Sequence, residues 1–129
     1  MKMTQQRAAG LNLIRRYGAD FIVVGENEIR ESCLVSANSL ASWTPRNVSE
    51  LTPDLLAPLF ALEPEVVVLA TGARQEFPRA YLRAEFATRK IGLEVMEIGA
   101  ACRTYNVLVG EERRVIGAIL LPGPSKGPE

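Results

Sequence analysis

Val66-Val67-Val68-Leu69-Ala70 is apolar at every position and rich in β-branched residues, with Glu63-Pro64-Glu65 before it and Thr71-Gly72 after it. A strand with one wet face alternates polar with apolar residues. A run without alternation needs apolar neighbours on both faces, as a central parallel strand has. The chain must therefore supply cover for two faces of a sheet. The VIGAILL run from Val115 to Leu121 makes the same demand.

The cover is visible around these runs. Thr52, Pro53 and Asp54 mark a helix start, and Leu55, Leu56, Leu59 and Phe60 form its buried side. Pro58 lacks an N–H and crowds the preceding turn, so the expectation is a short, bent or divided helix ending near Leu62. After the Thr71 to Phe77 loop, Pro78 opens a second helix with a stripe at Tyr81, Leu82, Glu85, Phe86 and Arg89, stopped by Gly92. A strand from Leu93 to Ile98 leads into a helix from about Ala100 to Val109, where Ala101, Tyr105 and Leu108 share a side and Gly110 is the residue after the cap.

The first third reads differently. Leu11 to Tyr17, Phe21 to Val24 and Ile29 to Ser36 are strand-like and are joined by turns too short for a crossover helix, which predicts an antiparallel meander. Residues 37–47 read as a loop in which Trp43 plugs the edge of the core and its indole N–H reaches a carbonyl. The expected organisation is a flexible segment over 1–10, a single domain over 11–121 and a disordered tail over 122–129. Three strands followed by alternating helices and strands make an α/β fold, a central sheet with helices packed on it plus an N-terminal antiparallel β meander.

Composition narrows the chemistry. Fifteen Lys and Arg balance fifteen Asp and Glu, so no long-range field gathers polyanions and nucleic acid is not an expected partner. There is no histidine, which excludes Ser-His-Asp and Cys-His sites within the chain. Cys33 and Cys102 are far apart and form no CxxC pair, so neither a structural zinc site nor a thioredoxin-like motif can be built. Two thiols without an export signal point to a reduced, cytoplasmic protein, and no apolar segment is long enough to span a bilayer. No metal or cofactor is implied.

What chemistry remains gathers at the carboxyl ends of the central strands, where open α/β sheets place their ligands. Thr71 and Gly72 on one loop, with Cys102 and Arg103 near the start of the Ala100 helix, form a candidate site for a small anion or carboxylate. Any strand-to-helix turn also needs small residues, so the glycines have a purely structural reading. Cys102 falls in the first helical turn, where the dipole and Arg103 lower a thiol's pKa. With no histidine to serve as its base, packing is the favoured role. Arg103 can bind a ligand carboxylate or pair with Glu94 or Glu97, and Arg74 and Arg79 can complete a cationic rim. Tyr105 reads as core, with Thr104 and Asn106 satisfying nearby backbone groups.

The segments PEVVVLATG (Pro64 to Gly72), LEVMEIGAACRTYNVL (Leu93 to Leu108), VIGAILLP (Val115 to Pro122) and SCLVSANSLASW (Ser32 to Trp43) resemble the small single-domain family of unknown function that includes mitochondrial respiratory complex I assembly factor 3. AACRTYN is the most specific part. The resemblance implies a three-layer α/β fold with a mixed central sheet, carries over no catalytic residue, and brings an assembly role exercised through protein contacts. This sequence shows no mitochondrial presequence, which suggests a bacterial protein, and it reads Ala70-Thr71-Gly72 where a Gly-Thr-Gly turn is usual.

Two functions follow as expectations. The first is a non-catalytic interaction or assembly-factor-like domain with a protein partner, which predicts an exposed apolar patch or a homo-oligomer and no turnover. The second is a small anionic ligand-binding protein or enzyme using the 71–77 loop and the helix start at 100, with Cys102 and Arg103. It predicts an accessible, reactive Cys102.

Overall fold

The computed structural model describes residues 10 to 123. The amino-terminal segment and the tail expected from sequence lie outside the described residues, except that Gly10 and Gly123 are included and Pro122 ends a strand. Among the described residues, eight strands form two sheets. β1 (Ile14–Gly18), β2 (Phe21–Val24) and β3 (Asn27–Ile29) make a small antiparallel sheet. β4 (Glu31–Ser36), β5 (Ser39–Ser42), β6 (Val66–Ala70), β7 (Gly92–Met96) and β8 (Val115–Pro122) make the central sheet, in the order β5-β4-β8-β6-β7.

That central sheet is mixed. β5, β4 and β8 pair antiparallel, whereas β8, β6 and β7 run parallel, with Val66 opposite both Val115 and Gly92. The two apolar runs are the adjacent central strands, and their side chains divide between the faces. Val66, Val68, Ala70, Val115, Ile119 and Leu121 enter one buried cluster, and Val67, Leu69, Ile116, Ala118 and Leu120 enter the other. The second face is covered by α1 (Pro53–Ala61) and α2 (Ala80–Thr88), through Leu56, Leu59, Leu82 and Phe86. The first is covered by α3 (Ile98–Gly110) together with the small sheet, whose Ile14, Ile22 and Val24 join that cluster. The result is the expected three-layer α/β fold, with the meander folded over one face as a separate sheet.

Several local readings change. The predicted strand Ile29 to Ser36 breaks at Arg30, and its two pieces belong to different sheets. The segment read as a loop over 37–47 contains β5, which pairs with β4 through a two-residue turn at Ala37 and Asn38. α1 is short and ends at Ala61, as expected, but is not divided at Pro58. Pro58 is exposed, and the carbonyl it leaves without an N–H, that of Asp54, belongs to the exposed first turn, where solvent can reach it. Trp43 behaves as expected: it is buried, and its indole N–H donates to the Leu55 carbonyl at 2.9 Å.

Each of α1, α2 and α3 leaves through one left-handed residue that is not glycine: Glu63 (φ 52°), Lys90 (φ 61°) and Glu112 (φ 63°). Gly110, expected beyond the cap, is instead the last helical residue.

Candidate functional site

β6 and β7 end together, Ala70 beside Met96, so the Thr71 loop and the start of α3 do meet at one end of the sheet. Their polar groups are already used within the chain. The Thr71 N–H donates to the Met96 carbonyl at 2.9 Å. Its buried hydroxyl donates to the Arg74 carbonyl at 2.6 Å, with the Met96 carbonyl at 3.2 Å, and accepts from the Glu76 N–H at 3.1 Å. The Gly72 carbonyl accepts from the Ile98 N–H at 2.8 Å, and the residue's φ of 92° is what calls for glycine there. Gln75 completes the closure by donating its side-chain amide to the Val95 carbonyl at 2.8 Å.

At the start of α3 the anion is supplied by the protein. Glu97 is the N-cap, and its carboxylate accepts from the Gly99 N–H at 2.8 Å and the Ala100 N–H at 2.7 Å. The Ala100 and Gly99 bonds, with the charge of Arg103 adding to them, hold the Glu97 carboxyl below the usual carboxylate range. The N–H groups that the sequence offered to an external anion are thus engaged by the helix's own cap. Crowding adds to this: a Cβ at Gly99 would stand 3.2 Å from both Glu97 Oε1 and Tyr17 Cε1.

Cys102 lies a full turn inside α3 and is 1% exposed. This is the favoured packing role, and the lowered pKa that the ligand-site alternative needed is reversed. Burial pushes the thiol up to about 12, the proximity of Cys33 and Glu97 adds to that, and Arg103 opposes it only in part. Cys33 is likewise buried, its thiol pushed up to about 12 by desolvation. Neither is a thiolate nucleophile at neutral pH in the folded chain. Arg103, which sequence paired with a ligand or with Glu94 or Glu97, donates to the Tyr17 hydroxyl at 2.5 Å while its charge acts on the Glu97 carboxylate.

The remaining polar residues of AACRTYN show what this stretch does. Tyr105 is fully buried, and its hydroxyl donates to the Asn12 carbonyl at 2.7 Å. The Asn106 amide accepts from the Ile14 N–H and donates to the Ile14 carbonyl, both at 2.9 Å, as a strand residue would. Thr104 points its hydroxyl at the Met96 sulfur at 3.3 Å, not at backbone. Three of these four positions, Arg103, Tyr105 and Asn106, therefore fasten β1 and the residues before it to α3.

Asn12 is the residue sequence reading missed. Its N–H donates to the Ala37 carbonyl at 3.0 Å and its side-chain amide donates to the Ser36 and Ser39 carbonyls, each at 3.1 Å. It ties the β4–β5 turn to α3 through Tyr105. Nothing local marks it, because every one of these partners is at least 24 residues away. Among the described residues no group of three His, Cys, Asp or Glu side chains could hold a metal ion, and no helix is long and apolar enough to cross a membrane.

Residues 14–120 match the model of the family described as "Protein of unknown function (DUF498/DUF598)". The chain belongs to this family. It is 31% identical over 127 residues to NADH dehydrogenase (ubiquinone) 1 alpha subcomplex assembly factor 3 of Danio rerio, covering 97% of this chain and 72% of that protein. The Homo sapiens protein of the same name is 30% identical over 126 residues, covering 96% and 68%. An NMR structure from Xanthomonas campestris superimposes with a TM-score of 0.82 at 35% identity, covering 90% of this chain and 89% of that one. Within this family the AACRTYN stretch is here a fastening between layers.

Proposed function

We propose that this chain is a non-catalytic interaction domain of the assembly-factor kind, working through contact with another protein. The observation that carries it is the internal use of Thr71, Glu97, Arg103, Tyr105 and Asn106, with Cys102 buried, at the one place where sequence gathers chemistry. The naming of related proteins as assembly factors supports the same reading. Phe77 at 61%, Val107 at 58% and Tyr81 at 51% exposure give the surface apolar side chains for such contacts. Two free, buried cysteines suit a reducing compartment, and we place the protein in a bacterial cytoplasm as one domain over residues 11–121.

The test is site-specific photocrosslinking in the native cells from benzoylphenylalanine at exposed positions spread over the molecule. A discrete protein adduct is expected from a contiguous subset of positions, and no adduct from any of them would overturn the reading. Thiol alkylation decides against the ligand-site alternative. Cys102 is expected to label at neutral pH only on unfolding, and rapid labelling of the native protein, lost in Cys102→Ser, would revive that alternative.

A further inference from the structure

Each sheet edge except one is closed by a device of its own. On β1, the Asn106 amide takes both backbone groups of Ile14, Arg15 and Arg16 add charge, and the register is irregular between Ile14 and Arg16. β3 is three residues long, and its Glu28 is paired with Arg30 at 2.6 Å. β7 carries Glu94 in mid-strand and gives its Val95 carbonyl to Gln75. Short edges, charge, irregular register and covering side chains are how native sheets discourage further pairing.

β5 has none of these on its outward groups beyond its shortness, since the Asn12 amide reaches only the Ser39 carbonyl, on the side that faces β4. Ser39-Leu40-Ala41-Ser42 is uncharged, contains no proline and pairs regularly with β4. Trp43 donates its N–H to the Ser32 carbonyl, and with Leu34 opposite Ala41 this alternation turns the N–H and C=O of Leu40 and Ser42 away from β4. Among the described residues no side chain bonds these four groups. Beside them runs an open crevice of about 510 Å³, lined by Glu28, Arg30, Glu31, Cys33, Leu40 and Ser42. The Arg30 guanidinium is held by Glu28 and Asp20, and the Glu31 carboxylate has no ion pair among the described residues. The crevice is therefore short of positive charge.

We propose that β5 is a docking edge for an extended segment of a partner protein, one that adds as a sixth strand and directs a Lys or Arg side chain into the crevice toward Glu31. Two donors and two acceptors at alternate residues match a strand backbone and no other secondary structure, and the crevice beside them selects the side chain. This rests on the interaction reading above and assigns it a surface. The test places benzoylphenylalanine at Ala41, and for reference at Tyr81 and Val107, in the full chain in its native cells.

The expected result is a defined adduct from position 41 whose yield falls about tenfold with Ser42→Pro, which removes the outward N–H and leaves the β4 ladder intact. Glu31→Lys, which does not touch the backbone, is expected to lower the same adduct severalfold. Adducts from 81 or 107 but not 41 would overturn the docking edge and leave the interaction reading standing. A position-41 adduct of twice the chain's mass would assign the edge to a second copy and overturn the partner segment. An adduct indifferent to both substitutions would overturn the strand geometry, and no adduct anywhere would remove both readings.

Discussion

On one face of the central sheet, α1 and α2 are held by apolar side chains, with Leu56, Leu59, Leu82 and Phe86 packed over Val67, Leu69, Ile116 and Leu120. Trp43 contributes a polar bond there, to Leu55. The other face also buries apolar residues, yet its outer piece, the small sheet, is fastened by side-chain bonds from Tyr105, Asn106 and Arg103 to Asn12, Ile14 and Tyr17. The first arrangement tolerates substitution among apolar residues of similar volume. The second depends on particular atoms, because a buried polar group that loses its partner costs more than a lost apolar contact of the same size.

Three substitutions separate the two modes. Tyr105→Ala removes a fully buried aromatic ring and is expected to cost about 3–5 kcal/mol, with amide exchange in β1–β3 accelerating more than in β4–β8. Leu59→Ala, on the opposite face, is expected to lower stability by about 2–5 kcal/mol without that bias, and equal acceleration in both sheets for both variants would dissolve the distinction. Asn106→Ala strands the N–H and C=O of Ile14. A loss of about 2 kcal/mol in urea unfolding is expected, confined in exchange to the small sheet.

Glu97→Ala is the smallest, about 1 kcal/mol at neutral pH from the lost cap. Its pH dependence has a fixed sign. The folded carboxyl is held below its unfolded value, so its contribution is present above roughly pH 4.3 and is lost as pH falls through the lower folded value. The wild-type and variant unfolding midpoints should therefore converge in acid. A gap that persists there would mean that the carboxylate bonds are not its source.

Sequence carried the parallel half of the fold well. Val66–Ala70 and Val115–Leu121 have no polar face to offer water, so their burial, and with it the two-sided cover, could be read directly. β5 was unreadable because Ser-Leu-Ala-Ser has no strand pattern of its own and is ordered by pairing with β4. The split at Arg30 escaped because a change of sheet leaves no mark when polar residues sit on both sides of it. At the candidate site the packing role favoured for Cys102 and the core role read for Tyr105 agree with their burial, whereas the partners of Arg103 and Asn106, more than eighty residues away, were not legible. Helix position alone would lower the Cys102 pKa, as the ligand-site alternative needed, whereas burial of the α3 face, a tertiary property, raises it.

The passage between the two sheets is one residue long. Arg30 alone separates β3 from β4, and a joint that short ties the sheets together without fixing their relative angle. The angle belongs instead to the packing of Ile14, Ile22 and Val24 and to the bonds from positions 103, 105 and 106, some seventy residues downstream. Exchanging the polar side chains at those three positions is thus a way to re-aim the small sheet, as a tile is re-aimed by its pegs, while the hydrophobic pattern that folds the rest goes unaltered.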